Sequence, residues 1–334
     1  MKLCAIAKGV DIPSSRIRVH QMAPYLGRHG IELVVHPFPQ SFAERRRLQA
    51  ELAQADVVLV HKELPTFFKS LWLRRIRKPL VFDFDDAVFL RKRLRKGTYF
   101  SHHRMRRFKR MLSIYDAVIA GNEFLGDACR ASGLPLLVAP SPVPTDVPRA
   151  SERAPNAVPR IAWVGLGTNL TYLRQLAAPL RELAQRIDYR LVVISNAELD
   201  PESMGGVPIE NVAWSLAGQE RELAKCDVGI MPLELDSPWS KGKCAYKLLQ
   251  YMAAGLPVVA TNVGMNAQVV AHDESGLLVE TDADWTAALE RLLRDRALGL
   301  RLGSAGRARI ERDFSYETIA ASWAGFLHEL TPTR

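Results

Sequence analysis

Residues 140–159 read PSPVPTDVPRASERAPNAVP, and residues 160–165, immediately after, read RIAWVG. The first stretch holds six prolines and little apolar material. Proline supplies no backbone donor and disfavours helix at the residue before it, so this stretch reads as a connection between domains. RIAWVG restarts a pattern already present upstream. Short apolar runs stand before this point, LCAIA (3–7), IELVVH (31–36), DVVLVH (56–61), PLVFDF (79–84), DAVIAG (116–121) and LPLLVAP (134–140). More follow it, RLVVIS (190–195), DVGIMPL (227–233), PVVAT (257–261) and GLLVE (276–280). None alternates apolar with polar residues. Continuous apolar runs of this length are strands covered on both faces, which is how parallel sheets flanked by helices read.

The segments between the runs have helical spacing. We expect helices from about Ser15 to Gly30, at 42–54, 65–76, 122–131, 169–186, 217–225 and 243–254, and a helical end at 283–297, 299–312 and 315–330. The expected architecture is α/β: two Rossmann-like domains in tandem, their parallel sheets facing across a cleft. The boundaries are a first domain at 1–145, a linker at 146–159, a second domain at 160–314 and a C-terminal helix at 315–334 that packs back on the first domain.

Composition narrows the class. With 334 residues, 48% of them hydrophobic, the chain is long enough for two cores. Four cysteines stand far apart with no CxxC pair, which fits a reducing compartment and not a structural zinc. LCAIA is too short for a signal h-region, and no apolar run approaches the ~20 residues of a membrane span. A cytoplasmic protein is expected. The net charge of +9 is concentrated: residues 62–110 hold 16 Lys/Arg against 4 Asp/Glu.

Two stretches carry chemistry. SPWSKGKCAYKLLQYMAAGLPVVATNVG (237–264) places lysines before and within a helix that ends at Gly255. A helix start with Lys243 and Lys247 on one face suits a diphosphate. VFDFDDAVF (81–89) ends a strand with Asp83, Asp85 and Asp86. Three carboxylates there fit a metal site, an aspartyl nucleophile, a polar sugar pocket, or plain capping and pairing with arginines.

WSKGKCAYKLLQYMAAGLPVVAT followed by VGMNAQVVAHDESGLLV resembles the donor-binding region of the family 4, or group 1, retaining glycosyltransferases of the GT-B fold. IPSSRIRVHQMAPYLGRHGIEL, VFDFDDAVF, DAVIAGNEFLGDACRASGLPLLVAPSPVPTD, RIAWVGLGTNLTYL and WSLAGQERELAKCDVGIMPL resemble other segments of that family in order, so the likeness covers most of residues 3–280. It implies a nucleotide-sugar donor as substrate, no cofactor, no metal, and a glycan or lipid-linked saccharide as acceptor. By resemblance, the backbone at Lys243, Cys244 and Ala245 meets the diphosphate, with Lys243 or Lys247 as its cation. Gln250 and Gly242 stand where the family's two glutamates usually are. Gly264, Met265 and Asn266 form a loop near the donor. Asp85 and Asp86 face the transferring sugar or the acceptor hydroxyl, as hydrogen-bond acceptors and not nucleophiles. Ser14, Ser15 and Arg16 open a helix toward the donor, and His61 and Glu63 lie on the acceptor side.

The basic region adds a partner. TFFKSLWLRRIRK (66–78) and RKRLRKGTYFSHHRMRRFKR (91–110) mix aromatics with cations, as in surfaces that rest on anionic lipid. No nucleic-acid motif accompanies them, so nucleic acid is not the expected partner. Two rival readings remain open: a non-catalytic sugar-nucleotide-binding or scaffold protein, since both glutamates are missing, and a sugar-nucleotide epimerase or hydrolase. No GxGxxG follows the first strand, which counts against a dinucleotide enzyme.

Overall fold

A computed structural model of the chain describes residues 1–91 and 99–331. Residues 92–98 of the basic region, KRLRKGT, therefore lie outside the described residues. The chain divides into two compact units. One comprises Met1–Pro142, Lys241–Cys244 and Tyr316–Arg334, the other Val143–Ser240 and Ala245–Ser315.

The first unit is built on six parallel strands: β1 (Lys2–Ile6), β2 (Glu32–His36), β3 (Val57–His61), β4 (Leu80–Phe84), β5 (Ala117–Ala120) and β6 (Leu136–Val138), in the order β2-β1-β3-β4-β5-β6. The second has β7 (Arg160–Gly165), β8 (Arg190–Ser195), β9 (Ile209–Ala213), β10 (Val228–Met231), β11 (Val258–Thr261) and β12 (Leu277–Val279), in the order β12-β11-β10-β7-β8-β9. β3 and β4 are buried along their whole length, which is why they read as unbroken apolar runs. β9 escaped that reading. Its sequence IENVA lies at a sheet edge, has only half-buried and exposed positions, and has no apolar run.

Each sheet reverses its strand order once, between β1 and β3 in the first unit and between β7 and β10 in the second. The crevice beyond the carboxyl ends of the strands at such a reversal is where open α/β sheets bind ligands. Two expected helices are broken. The one from Ser15 to Gly30 is a helix at Pro13–Arg18, a 3₁₀ turn at His20–Met22 and a helix at Ala23–Arg28. The one at 169–186 is Leu170–Arg174 and Ala177–Ala184. Leu3, Ala5, Val57 and Leu59 of the first sheet pack with Trp323 and Leu327 of the C-terminal helix Tyr316–Glu329. The proline-rich stretch is tied to the second unit: Val143 N–H donates to Phe314 O, and Arg153 donates to Ala224 O and Cys226 O. No helix among the described residues is long and apolar enough to cross a membrane.

Candidate functional site

The parallel register of β3 on β4 sets His61 beside Asp83 at the carboxyl edge of the first sheet. Both are buried, and His61 Nδ1 lies 2.6 Å from Asp83 Oδ2. Arg18, fully buried at the end of the helix Pro13–Arg18, donates to Asp83 Oδ1 from its terminal nitrogen at 2.5 Å and from Nε at 3.1 Å, and to Ala139 O at 3.0 Å. Burial by itself would raise the Asp83 carboxyl. The Arg18 guanidinium, joined by His61, outweighs that and holds it below the usual carboxylate range. Asp83 is thus the carboxylate that pairs with an arginine, and the sequence left that arginine unnamed.

Asp85 and Asp86 lie just beyond β4. Ser14 Oγ donates to Asp85 Oδ1 at 2.7 Å, and Lys62 Nζ bonds the same oxygen at 2.8 Å. Lys62 Nζ also reaches Asp86 Oδ2 at 2.5 Å, and Lys243 Nζ lies 3.4 Å from Asp86 Oδ1. Burial opposes the charge on Asp85, but the Lys62 ammonium, then His61 and Arg18, bring its carboxyl well below the ordinary value. Burial likewise opposes the Lys62 charge, and Asp85 and Asp86 outweigh it, so the ammonium titrates above the ordinary lysine value. Lys62 adopts φ +50°, a left-handed conformation costly for a non-glycine residue. Its N–H bonds Asp83 O at 2.7 Å.

Segment Lys241–Cys244 completes the first unit's site. Asn122 caps the helix Glu123–Arg130 with Oδ1, and its Nδ2 donates to Lys241 O and Lys243 O at 3.2 and 3.0 Å. Capping alone was expected of it. Cys244 Sγ donates to Asp85 O at 3.1 Å, and its burial pushes the thiol well above the ordinary value. Gly121 makes that approach possible, since a Cβ there would lie 2.6 Å from Cys244 Sγ.

In the second unit, the helix Tyr246–Ala253 faces the end of β7. Tyr251 OH accepts from Val164 N–H at 2.9 Å. One turn earlier, Lys247 Nζ lies 4.3 Å from the centroid of the Trp163 ring. Gly165 lies directly against this lysine: a Cβ on it would be 2.9 Å from Nζ. Lys247 therefore sits at the β7 side of the strand-order reversal.

Several expected residues are placed otherwise. Lys243 and Lys247 do not share a helix face, because Ala245 turns left-handed at φ +48° and the helix begins only at Tyr246. Ser15 is fully buried, so its hydroxyl does not reach a dissolved donor. Arg16 donates to Val10 O at 3.1 Å. The N-cap is Ile12 with Pro13 first in the helix, leaving the Ser14 hydroxyl for His61 and Asp85. Glu63 pairs with Lys69 at 2.5 Å. Gly264 has φ +53°, but the Met265 and Asn266 side chains are buried. Asn266 Nδ2 donates to Thr261 O at 3.1 Å and Met231 O at 3.5 Å, tying β11 to β10. Gln250 lines a separate crevice with Val147, Glu220, Leu223 and Tyr246. Gly242 lies in the segment that Asn122 holds. Reasoning from sequence missed Arg18, Lys62 and the pairing of Ser14. The signal was available in one place: an arginine inside the apolar series Ile17, Val19, Met22 needs a buried partner.

Residues 158–295 match the family described as glycosyl transferases group 1. Among curated proteins, a GDP-mannose-dependent alpha-(1-6)-phosphatidylinositol monomannoside mannosyltransferase of Mycobacterium tuberculosis is 38% identical over 81 residues, 24% of this chain and 21% of that protein. A D-inositol 3-phosphate glycosyltransferase of Pseudarthrobacter chlorophenolicus is 30% identical over 168 residues, 44% of this chain and 37% of that protein. The matched stretches thus span between about a fifth and two fifths of these relatives. HepE of Anabaena, solved with UDP and glucose, is similar with a TM-score of 0.74 at 14% identity, covering 98% of this chain and 100% of that one. Sucrose-phosphate synthase of Thermosynechococcus elongatus gives 0.74 at 14%, covering 98% of each. At such identities the structures speak for the fold, which is GT-B.

Proposed function

We propose that this chain, which belongs with the group 1 glycosyltransferases, moves a sugar from a nucleotide-sugar donor to a hydroxyl of a glycan or lipid-linked saccharide, with retention and without a metal. The observation that carries the reading is Lys247. It lies in the family-matched segment, on the first turn of the helix Tyr246–Ala253, against the end of β7 where the strand order reverses. A cation and a helix start at that point suit a departing nucleoside diphosphate, which gains negative charge as the glycosidic bond breaks. The leaving phosphate oxygen takes the acceptor's proton on the same face of the sugar, so no side-chain base is needed.

The first unit supplies groups of the complementary kind. Asp85 and Asp86 are bridged by the Lys62 ammonium, and Lys243 lies against Asp86. These cations hold the carboxylates where a divalent ion would otherwise do so, which supports the metal-free reading. The Asp85 carboxylate, held ionised by Lys62, is a weak base and serves as an acceptor for sugar hydroxyls. A UDP or GDP sugar is the first donor to try, because HepE was solved with UDP and the mycobacterial relative is named for GDP-mannose.

The helix Phe67–Leu73 bears Phe67 and Phe68 at 66% and 71% exposure, with Leu71 and Phe100 also exposed. Arg74 and Arg75 follow Phe67 and Phe68 in the first basic stretch, and Arg104 and Arg106 follow Phe100 in the second. Aromatics among arginines suit an anionic lipid surface carrying the acceptor, which would place the enzyme peripherally on the cytoplasmic face of the membrane. The test is a thermal-shift panel of UDP, GDP, dTDP, CDP and ADP in chelator, with Lys247→Met alongside. Stabilisation by one nucleotide, lost in the variant, is expected. Turnover of no donor, with nucleotide binding intact, would favour a non-catalytic binder, for which Gly242 and Gln250 in place of carboxylates would then account.

A further inference from the structure

Ser14 Oγ lies between two groups that compete for its one hydrogen: Asp85 Oδ1 at 2.7 Å and His61 Nε2 at 2.8 Å. A carboxylate only accepts, so the contact with Asp85 takes the hydroxyl hydrogen. Ser14 then offers His61 only lone pairs, and Nε2 must donate. Across the ring, Nδ1 is 2.6 Å from Asp83 Oδ2, another acceptor, kept ionised by Arg18 at 2.5 Å. Nδ1 must donate as well.

We infer that His61 carries hydrogen on both ring nitrogens, and that Arg18, Asp83, His61 and Ser14 form a positioning relay that ends on Asp85 and aims its Oδ2 at a saccharide hydroxyl beside the reacting one, whose own hydrogen goes to the leaving phosphate. The second half of this inference rests on the glycosyltransferase reading.

The geometry explains the aim. Ser14 and Lys62 both bond Oδ1 of Asp85. Two donors on one oxygen fix the carboxylate plane and leave the other oxygen for a third hydroxyl. The relay stands at the reversal between β1 and β3, since Ser14 follows β1 and His61 ends β3. A Ser–His–Asp line at these distances also resembles a hydrolase nucleophile with its base. Asp85 excludes that role: a carboxylate 2.7 Å from Oγ opposes the negative charge a serine nucleophile must develop, and the hydroxyl hydrogen points away from His61. Ser14 therefore orients and does not attack.

Two measurements test this. Long-range ¹H–¹⁵N spectra of histidine-labelled protein at neutral pH, with His61→Gln to assign the signal among the eight histidines, should show both His61 nitrogens at shifts typical of protonated nitrogen. One nitrogen at the unprotonated shift would overturn the relay. Kinetically, Ser14→Ala should lower kcat by roughly 100-fold, the scale of a misaligned reacting group, with nucleotide affinity unchanged, and Ser14→Thr should recover most of the rate. An alanine variant within a few-fold of wild type, or one that loses nucleotide affinity in equal measure, would overturn the aiming role. If the wild type transfers no sugar at all, the transferase reading fails and the aiming half fails with it, while the spectra still decide the relay.

Discussion

Replacing Arg18 by Met should be the most damaging single change to the first unit. Arg18 and Asp83 are both fully buried, and their closest contact is 2.5 Å. Methionine fills much of the space but leaves the buried Asp83 carboxylate without the guanidinium, against the His61 ring alone of the two. Breaking a buried pair by removing one partner costs about 3–5 kcal/mol, because the other charge stays without compensation. The guanidinium also bonds Ala139 O at 3.0 Å, and leaving that acceptor unmet adds about 1–3 kcal/mol. Its position 5.5 Å from the Trp323 ring centroid contributes a smaller cation–π attraction. Equilibrium denaturation in guanidinium chloride, followed by circular dichroism, reads the loss. The double variant Arg18→Met with Asp83→Asn should recover part of it, since the neutral amide removes the uncompensated carboxylate charge while its oxygen still accepts from His61 Nδ1. A single-variant cost below about 1 kcal/mol, or a double variant as unstable as the sum of both singles, would refute the reasoning.

Further outcomes follow from the same contacts. Asp83 and Asp85 have folded pKa values below the ordinary one, so their contribution is complete above about pH 4 and is lost as pH falls through the depressed values. Acid titration of stability should therefore be flatter in Arg18→Met than in wild type below that pH, and parallel curves would contradict the assignment. Gly165→Ala brings a Cβ within 2.9 Å of Lys247 Nζ and 2.8 Å of the Trp163 ring; it should weaken nucleotide binding by about tenfold, read by calorimetry. Ala245→Gly relieves a left-handed alanine worth about 1–2 kcal/mol, offset in part by glycine's extra freedom in the unfolded chain, and should raise the melting temperature slightly or leave it unchanged. Phe67→Ser with Phe68→Ser should reduce sedimentation with anionic vesicles and leave turnover of a water-soluble acceptor intact.

The sheets were legible because parallel strands buried on both faces leave continuous apolar runs. β9 was not, because an edge strand carrying Glu210 and Asn211 leaves no such run. The proline-rich stretch marked the change of unit, while its own packing through Arg153 depends on carbonyls about 70 residues away. The acidic cluster was visible as DFDD, but its chemistry was not. Ser14 meets His61 across 47 residues and Asp85 across 71, and Arg18 meets Asp83 across 65. Those pairings follow from strand order and register, which no local pattern encodes. The spacing of Lys243 and Lys247 implies one helix face, but left-handed Ala245 between them starts the helix only at Tyr246.

The most direct test of the account is transfer itself. The donor nucleotide found by thermal shift is supplied as its sugar, in chelator, with a saccharide acceptor, and the anomeric configuration of the product is read by NMR in wild type and Lys247→Met. The expected product has the donor's own anomeric configuration, forms without metal and is strongly reduced in the variant. An inverted product, a strict need for a divalent cation, or full activity without the Lys247 ammonium would contradict it.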